Sequence, residues 1–122
     1  MFGKTAQLLL ILMVTTLSAR ASPAYQLYMF EAPDCIYCEY WDRDVGAIYD
    51  KTAEGKRVPL KRLHLGAKLP SGITLLSPVQ YTPTFVLIHS GRESGRITGY
   101  TGESNFWGLM EVLLKESQIV ID

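Results

Sequence analysis

The sequence predicts an α/β domain, in which strands alternate with helices and a hairpin and a last helix close the chain. Three observations predict it. Apolar runs bounded by proline, glycine and aspartate mark strands at residues 25–30, 58–65 and 84–89. Apolar stripes at helical spacing mark helices, Trp41, Val45, Ile48 and Tyr49 in the first and Phe106, Leu109, Met110, Leu113 and Leu114 in the last. The chain has 122 residues and is 48% hydrophobic, which suits one packed domain and leaves no room for a second.

The first segment reads as an address. Lys4 gives a positive start, residues 6–17 are mostly apolar, and Ala19-Arg20-Ala21 is a small-x-small cleavage pattern. The apolar run is shorter than the roughly 18 residues a membrane span needs. Residues 1–21 are therefore expected to be a signal peptide, with residues 22–122 as the exported domain and no stable membrane span after cleavage. Twelve Lys/Arg balance twelve Asp/Glu over the whole chain, and loss of Lys4 and Arg20 leaves −2. Such a balance gives no electrostatic case for nucleic acid or an anionic membrane surface. Export also moves the cysteines to a compartment where a disulfide can persist.

The remaining elements come in order. The first strand stops at Pro33 and Asp34, and Asp34 stands where a helix N-cap is expected, just before Cys35. Residues 52–57 are polar and contain Gly55, so they read as a loop. Pro59 must lie near the start of the second strand, because proline cannot donate to a ladder. Residues 66–80 contain Pro70, Gly72 and Pro78 and read as loop, with a short helix around 73–76. Residues 90–93 turn the chain, 95–100 return as the hairpin partner, and 105–117 form the last helix.

Cys35-Ile36-Tyr37-Cys38 carries the chemistry. As a structural staple, so short a loop contributes only about 2 kcal/mol, against roughly 3 for fifteen residues. A zinc site would need His64 and His89 as well, and these lie on two predicted strands without ligand spacing. A copper carrier is usually marked by a methionine two residues before the first cysteine, where this chain has Pro33. The redox reading accounts for more. The pair follows a strand and opens a helix, where free N–H groups and the helix dipole favour a thiolate at Cys35. Cys38 lies nearly one turn on, within reach as the resolving thiol. No metal ligand set and no cofactor motif stands beside it.

With the pair so placed, residues 24–116 resemble the thioredoxin superfamily. Tyr81-Thr82-Pro83-Thr84, followed by Phe85 to Ile88, looks like the family's Thr-Pro-Thr segment, and Gly91 and Gly99 fall at the family's spacing from Pro83. The resemblance implies a minimal thioredoxin fold, a four-stranded mixed sheet flanked by helices, since the family's first strand and helix are missing. It implies that Pro83 is a cis-proline beside the cysteines, and that the Thr82 backbone offers an edge to a substrate segment. The chain departs from the pattern in several places. Asp34 replaces the usual tryptophan, and a carboxylate there should raise the thiol pKa. Met29 stands where the family keeps a buried acid; Glu31, two residues on, could stand in as proton acceptor, but it reads rather as a loop-surface residue.

A narrower likeness rests on Ala32-Pro33-Asp34-Cys35-Ile36-Tyr37-Cys38, Thr82-Pro83-Thr84-Phe85, and Gly95-Arg96-Ile97 continuing through Gly99-Tyr100, Gly102-Glu103 and Phe106-Trp107. It resembles the periplasmic thioredoxin-like proteins of bacterial sulfur-oxidation operons, the SoxS type. That implies a periplasmic thiol-disulfide reductase that keeps a sulfur-carrier protein's cysteine usable for thiosulfate oxidation. It also implies a membrane electron relay as donor. A disulfide oxidase or isomerase, and a non-catalytic regulatory module using the groove beside Pro83, are the alternatives. Tyr37, between the cysteines, is expected to touch substrate or tune the thiol. Tyr81 lines the groove or packs, Phe106 and Trp107 read as core, and Lys56, Arg57, Lys61 and Arg62 read as a solvated face.

Overall fold

The computed structural model describes residues 24–122 and, ahead of them, Thr16. The expected signal peptide, residues 1–21, lies outside the described residues, Thr16 apart. The chain runs β1 (Tyr25–Glu31), α1 (Ile36–Trp41), a π-helical turn (Asp42–Gly46), a 3-10 turn (Tyr49–Lys51), α2 (Ala53–Arg57), β2 (Leu60–His64), β3 (Thr84–His89), β4 (Arg92–Thr98) and α3 (Glu103–Glu116). The four strands form one mixed sheet in the order β2-β1-β3-β4. β1 is parallel to β2 and antiparallel to β3, and β3 is antiparallel to β4.

The two central strands are buried on both faces, so they are unbroken apolar runs. Leu27, Met29, Phe85, Leu87 and Ile97 join Trp41, Val45 and Tyr49 and the apolar face of α3 in the main core. Trp41, Phe85 and Phe106 meet at its centre, with ring centroids 5.0–5.8 Å apart. On the other face Tyr28, Phe30, Val86 and Ile88 are covered by Leu63, Leu69, Ile73, Leu75 and Val79. Four of those five belong to the segment between β2 and β3, so an irregular strap closes that face instead of a helix.

Local structure departs from the sequence reading in several places. Of residues 52–57, Ala53–Arg57 form α2, not a loop. Thr52 caps it by accepting from the Gly55 N–H at 3.0 Å. Gly55 is there for closeness, since a Cβ would sit 1.9 Å from the Tyr49 carbonyl oxygen. The short helix expected at 73–76 is replaced by an extended bridge. Thr74 N–H donates to Gly91 O and Thr74 O accepts from Glu93 N–H, at 2.8 and 2.9 Å. Pro70, Gly72 at φ 83° and Pro78 punctuate the strap too often for a helix. The stripe through Trp41, Val45 and Tyr49 is buried, but Ile48 is 42% exposed, because the π-helical turn shifts the helical phase of the residues after it. Leu109 of α3 likewise stands 41% exposed at the edge of its buried face. Among the described residues, no helix is long and apolar enough to cross a membrane.

Candidate active site

Phe30 pairs with Thr84, so the end of β1 and the start of β3 lie together at one end of the sheet. β1 leads through Ala32-Pro33-Asp34 into α1, and β3 is entered through Tyr81-Thr82-Pro83. Both candidate segments are therefore delivered to the same end by the two central strands.

Asp34 does not cap the helix. It sits at φ 61°, a left-handed turn that aspartate tolerates better than most residues, and it hands the cap to Cys35. Cys35 Sγ accepts from the Cys38 N–H at 3.1 Å. Cys35 and Cys38 are joined in a disulfide, with S–S 2.12 Å and Cα–Cα 5.2 Å. Cys38 is 5% exposed and belongs to the core, whereas Cys35 is half-buried. Cys35 is thus the more exposed of the two. Tyr37 projects 55% exposed from α1, its ring edge-on to Tyr40 at 6.0 Å.

At the same end of the sheet the Thr82–Pro83 peptide bond is cis. Pro83 is buried, and its carbonyl accepts from Gly99 N–H at 2.7 Å, while Thr84 Oγ1 donates to the Tyr81 carbonyl at 2.7 Å. Among the described residues, the Thr82 backbone N–H and C=O have no hydrogen-bond partner. Tyr81 is 66% exposed beside it.

The surroundings correct two sequence readings. Glu31 is not on a loop surface but is the last residue of β1. Its carboxylate pairs with Arg62 at 2.8 Å, and the same guanidinium reaches Asp42 and lies 5.6 Å from the Trp41 ring centroid. Arg62, read as part of a solvated face, thus ties β1 and β2 to the turn that ends α1. Met29, opposite Arg62 in the ladder, is fully buried, so no carboxylate occupies the core at that position. The sequence reading gave Tyr100 a place in the resemblance but no partner. Its hydroxyl donates to Asp44 at 2.7 Å, across 56 residues. The Asp44 carboxyl is held below the usual range by hydrogen bonds from Arg43 and then Tyr100. Burial, and then Asp44, push the Tyr100 hydroxyl up to about 12. No local pattern announces a pair so far apart. His64 pairs with Glu31 and His89 with Tyr25, at opposite ends of β1, so the two cannot join the cysteines around one metal.

A disulfide between a half-buried cysteine and a buried one, at the end of the sheet that also carries the cis-proline, can undergo thiol-disulfide exchange. Comparison with known proteins agrees. A family model described as a thioredoxin-like domain matches residues 14–113. The periplasmic thioredoxin SoxS of Paracoccus pantotrophus, solved in its reduced form, is 43% identical, covering 76% of this chain and 98% of its own, with a TM-score of 0.75. A thioredoxin of Malassezia sympodialis is 16% identical, covering 74% of this chain and 75% of its own, with a TM-score of 0.50, a likeness of fold alone. A search of curated protein sequences finds no significant match. The chain belongs to the thioredoxin-like family and is a thiol-disulfide oxidoreductase.

Proposed function

We propose that the chain is a periplasmic reductase of protein disulfides or mixed disulfides, serving a sulfur-carrier protein of thiosulfate oxidation and recharged by a membrane electron relay. The observation that carries this reading is the 43% identity to a periplasmic thioredoxin, over 98% of that protein. Residues 1–21 act as the export signal and residues 22–122 as the working domain.

Cys35 is the nucleophile and Cys38 the resolving thiol. In the reduced protein the Cys35 thiolate attacks a substrate disulfide, forming a Cys35–substrate disulfide and releasing the other substrate sulfur as a thiolate. The Cys38 thiolate then attacks Cys35 Sγ and frees the second substrate thiolate. Two electrons pass to the substrate, and the Cys35–Cys38 disulfide remains for the relay to reduce. Thr82, through its unpaired backbone groups, and Pro83 present the edge along which the substrate segment lies, with Tyr37 on the other wall.

Two measurements test the proposal. A reduction potential near about −270 mV supports a reductase, and one near about −120 mV overturns that direction in favour of an oxidase. The Cys38→Ser variant cannot resolve the mixed disulfide, so mass spectrometry of its trapped adducts identifies the partner. Capture of a sulfur-carrier protein is expected, and its absence among the adducts removes that substrate from the reading.

A further inference from the structure

The strap that leads into the groove is held by a pair on β4. Glu93 is buried, and its carboxylate receives Arg96 through both oxygens, with one contact at 2.8 Å. The same carboxylate accepts from Leu76 N–H at 2.7 Å. Arg96 in turn donates to Ser77 O at 2.7 Å and more distantly to Pro78 O at 3.4 Å. Among the described residues, every hydrogen bond to residues 76–80 comes from this pair. The next residues along the chain are Tyr81, Thr82 and Pro83.

The arrangement depends on a β-bulge. Leu87 pairs with Gly95 but Ile88 pairs with Glu93, so Ser94 is an extra residue on β4. By strict alternation Glu93 and Arg96 would face opposite sides of the sheet. The bulge turns Glu93 to the face of Ile88 and Val86, where Arg96 already points and where the strap lies. A buried carboxylate is costly unless fully paired. Here the pairing partners are Arg96 and the strap itself, so the strap's position is part of what satisfies the charge.

We propose that Glu93 and Arg96 are positioning residues for protein substrates, fixing residues 76–80 so that the Tyr81–Thr82 wall stands at the height where a substrate cysteine meets Cys35. The inference rests on the reading that the substrate segment lies along Thr82. Neither side chain takes part in the exchange itself. Their loss therefore weakens the docking of an extended protein segment and leaves the chemistry of the cysteine pair intact.

Steady-state reduction of insulin and of bis(2-hydroxyethyl) disulfide, with dithiothreitol as the two-electron donor and its uncatalysed rate subtracted, tests this in the exported protein, with the reduction potential measured alongside. Glu93→Gln and Arg96→Lys are expected to raise KM for insulin about tenfold, with kcat within about twofold. Turnover of the small disulfide and the potential stay at the parent values. Arg96→Lys keeps the charge but not the fork that serves Glu93 and Ser77 together. Where Glu93→Gln leaves too little folded protein, the double variant Glu93→Leu with Arg96→Leu removes both charges at once and leaves no unpaired one. The same KM rise is expected from it. Tyr81→Ala separates the underlying reading from the inference. If Tyr81→Ala raises KM for insulin and the folded clamp variants do not, the inference is overturned and the groove stands. If none of them raises KM, the groove reading fails and takes the inference with it. An equal loss on both substrates also overturns it.

Discussion

Single residues in and around the main core are set both by close approach and by charges that find a partner. Met29 is a fully buried hydrophobe, and the carboxylates of Glu31 and Asp42 are both taken up by Arg62. Gly55 shows close approach at its sharpest. A Cβ at this position would lie 1.9 Å from Tyr49 O and 2.7 Å from Tyr49 C, both backbone atoms that a rotamer change cannot move. Tyr49 is itself anchored, its hydroxyl donating to Val58 O at 2.7 Å. Gly55→Ala is therefore expected to cost about 3 kcal/mol or more, the upper range for overpacking, although alanine is the better helix former. Urea unfolding measures it, and a variant within about 1 kcal/mol of the parent would contradict the close approach.

At the scale of elements, α3 shows which part of an apolar stripe does the holding. Phe106 meets Phe85 and Trp41 at the centre of the main core, while Leu109 stands at the edge. Phe106→Ala should cost about 3–5 kcal/mol. Leu109→Ala should cost under about 1 kcal/mol. Equal losses in denaturant unfolding would mean that α3 is seated differently. The sequence made α3, β1 and β3 plain, because an amphipathic stripe and runs buried on both faces leave a period or a composition behind. The cysteine pair and the Thr-Pro-Thr segment were equally plain, since each is local. α2 was hidden by Gly55, which punctuates a sequence like a loop breaker but is needed here for a close approach. The strap was hidden because its order comes from a bulge and a buried ion pair on another strand. The links from Arg62 to Glu31 and from Tyr100 to Asp44 span 31 and 56 residues, and no periodicity reports such distances.

The sheet of the described residues has two unequal faces, one packed under α1 and α3 and the other under the strap, with the cysteine pair and the cis-proline at the end where β1 stops and β3 begins. The stability of the whole molecule should carry a pH signature that the cysteines do not confuse, provided the disulfide form is used, since bonded cysteines do not titrate. Tyr49 is fully buried, and burial drives its hydroxyl well above the usual tyrosine value. Burial and Asp44 push Tyr100 up to about 12. For both, the folded pKa exceeds the unfolded one, so the unfolded state gives up its proton first as pH rises. The stabilisation is complete below about pH 10, the unfolded tyrosine value, and falls as pH climbs through the folded values. Asp44 has the opposite sense, because its folded pKa is depressed. Its contribution is present above about pH 4 and fades below that. Urea unfolding followed by circular dichroism is expected to give a plateau between about pH 4 and 10, with losses on both sides. Tyr49→Phe loses the hydrogen bond to Val58 O and is less stable on the plateau by about 1 kcal/mol. It also loses the titrating group, so its deficit against the parent must shrink above about pH 10. A deficit that stays constant to about pH 12 would show that Tyr49 ionises as easily in the folded chain as in the unfolded one, and that the main core admits water at its tyrosine.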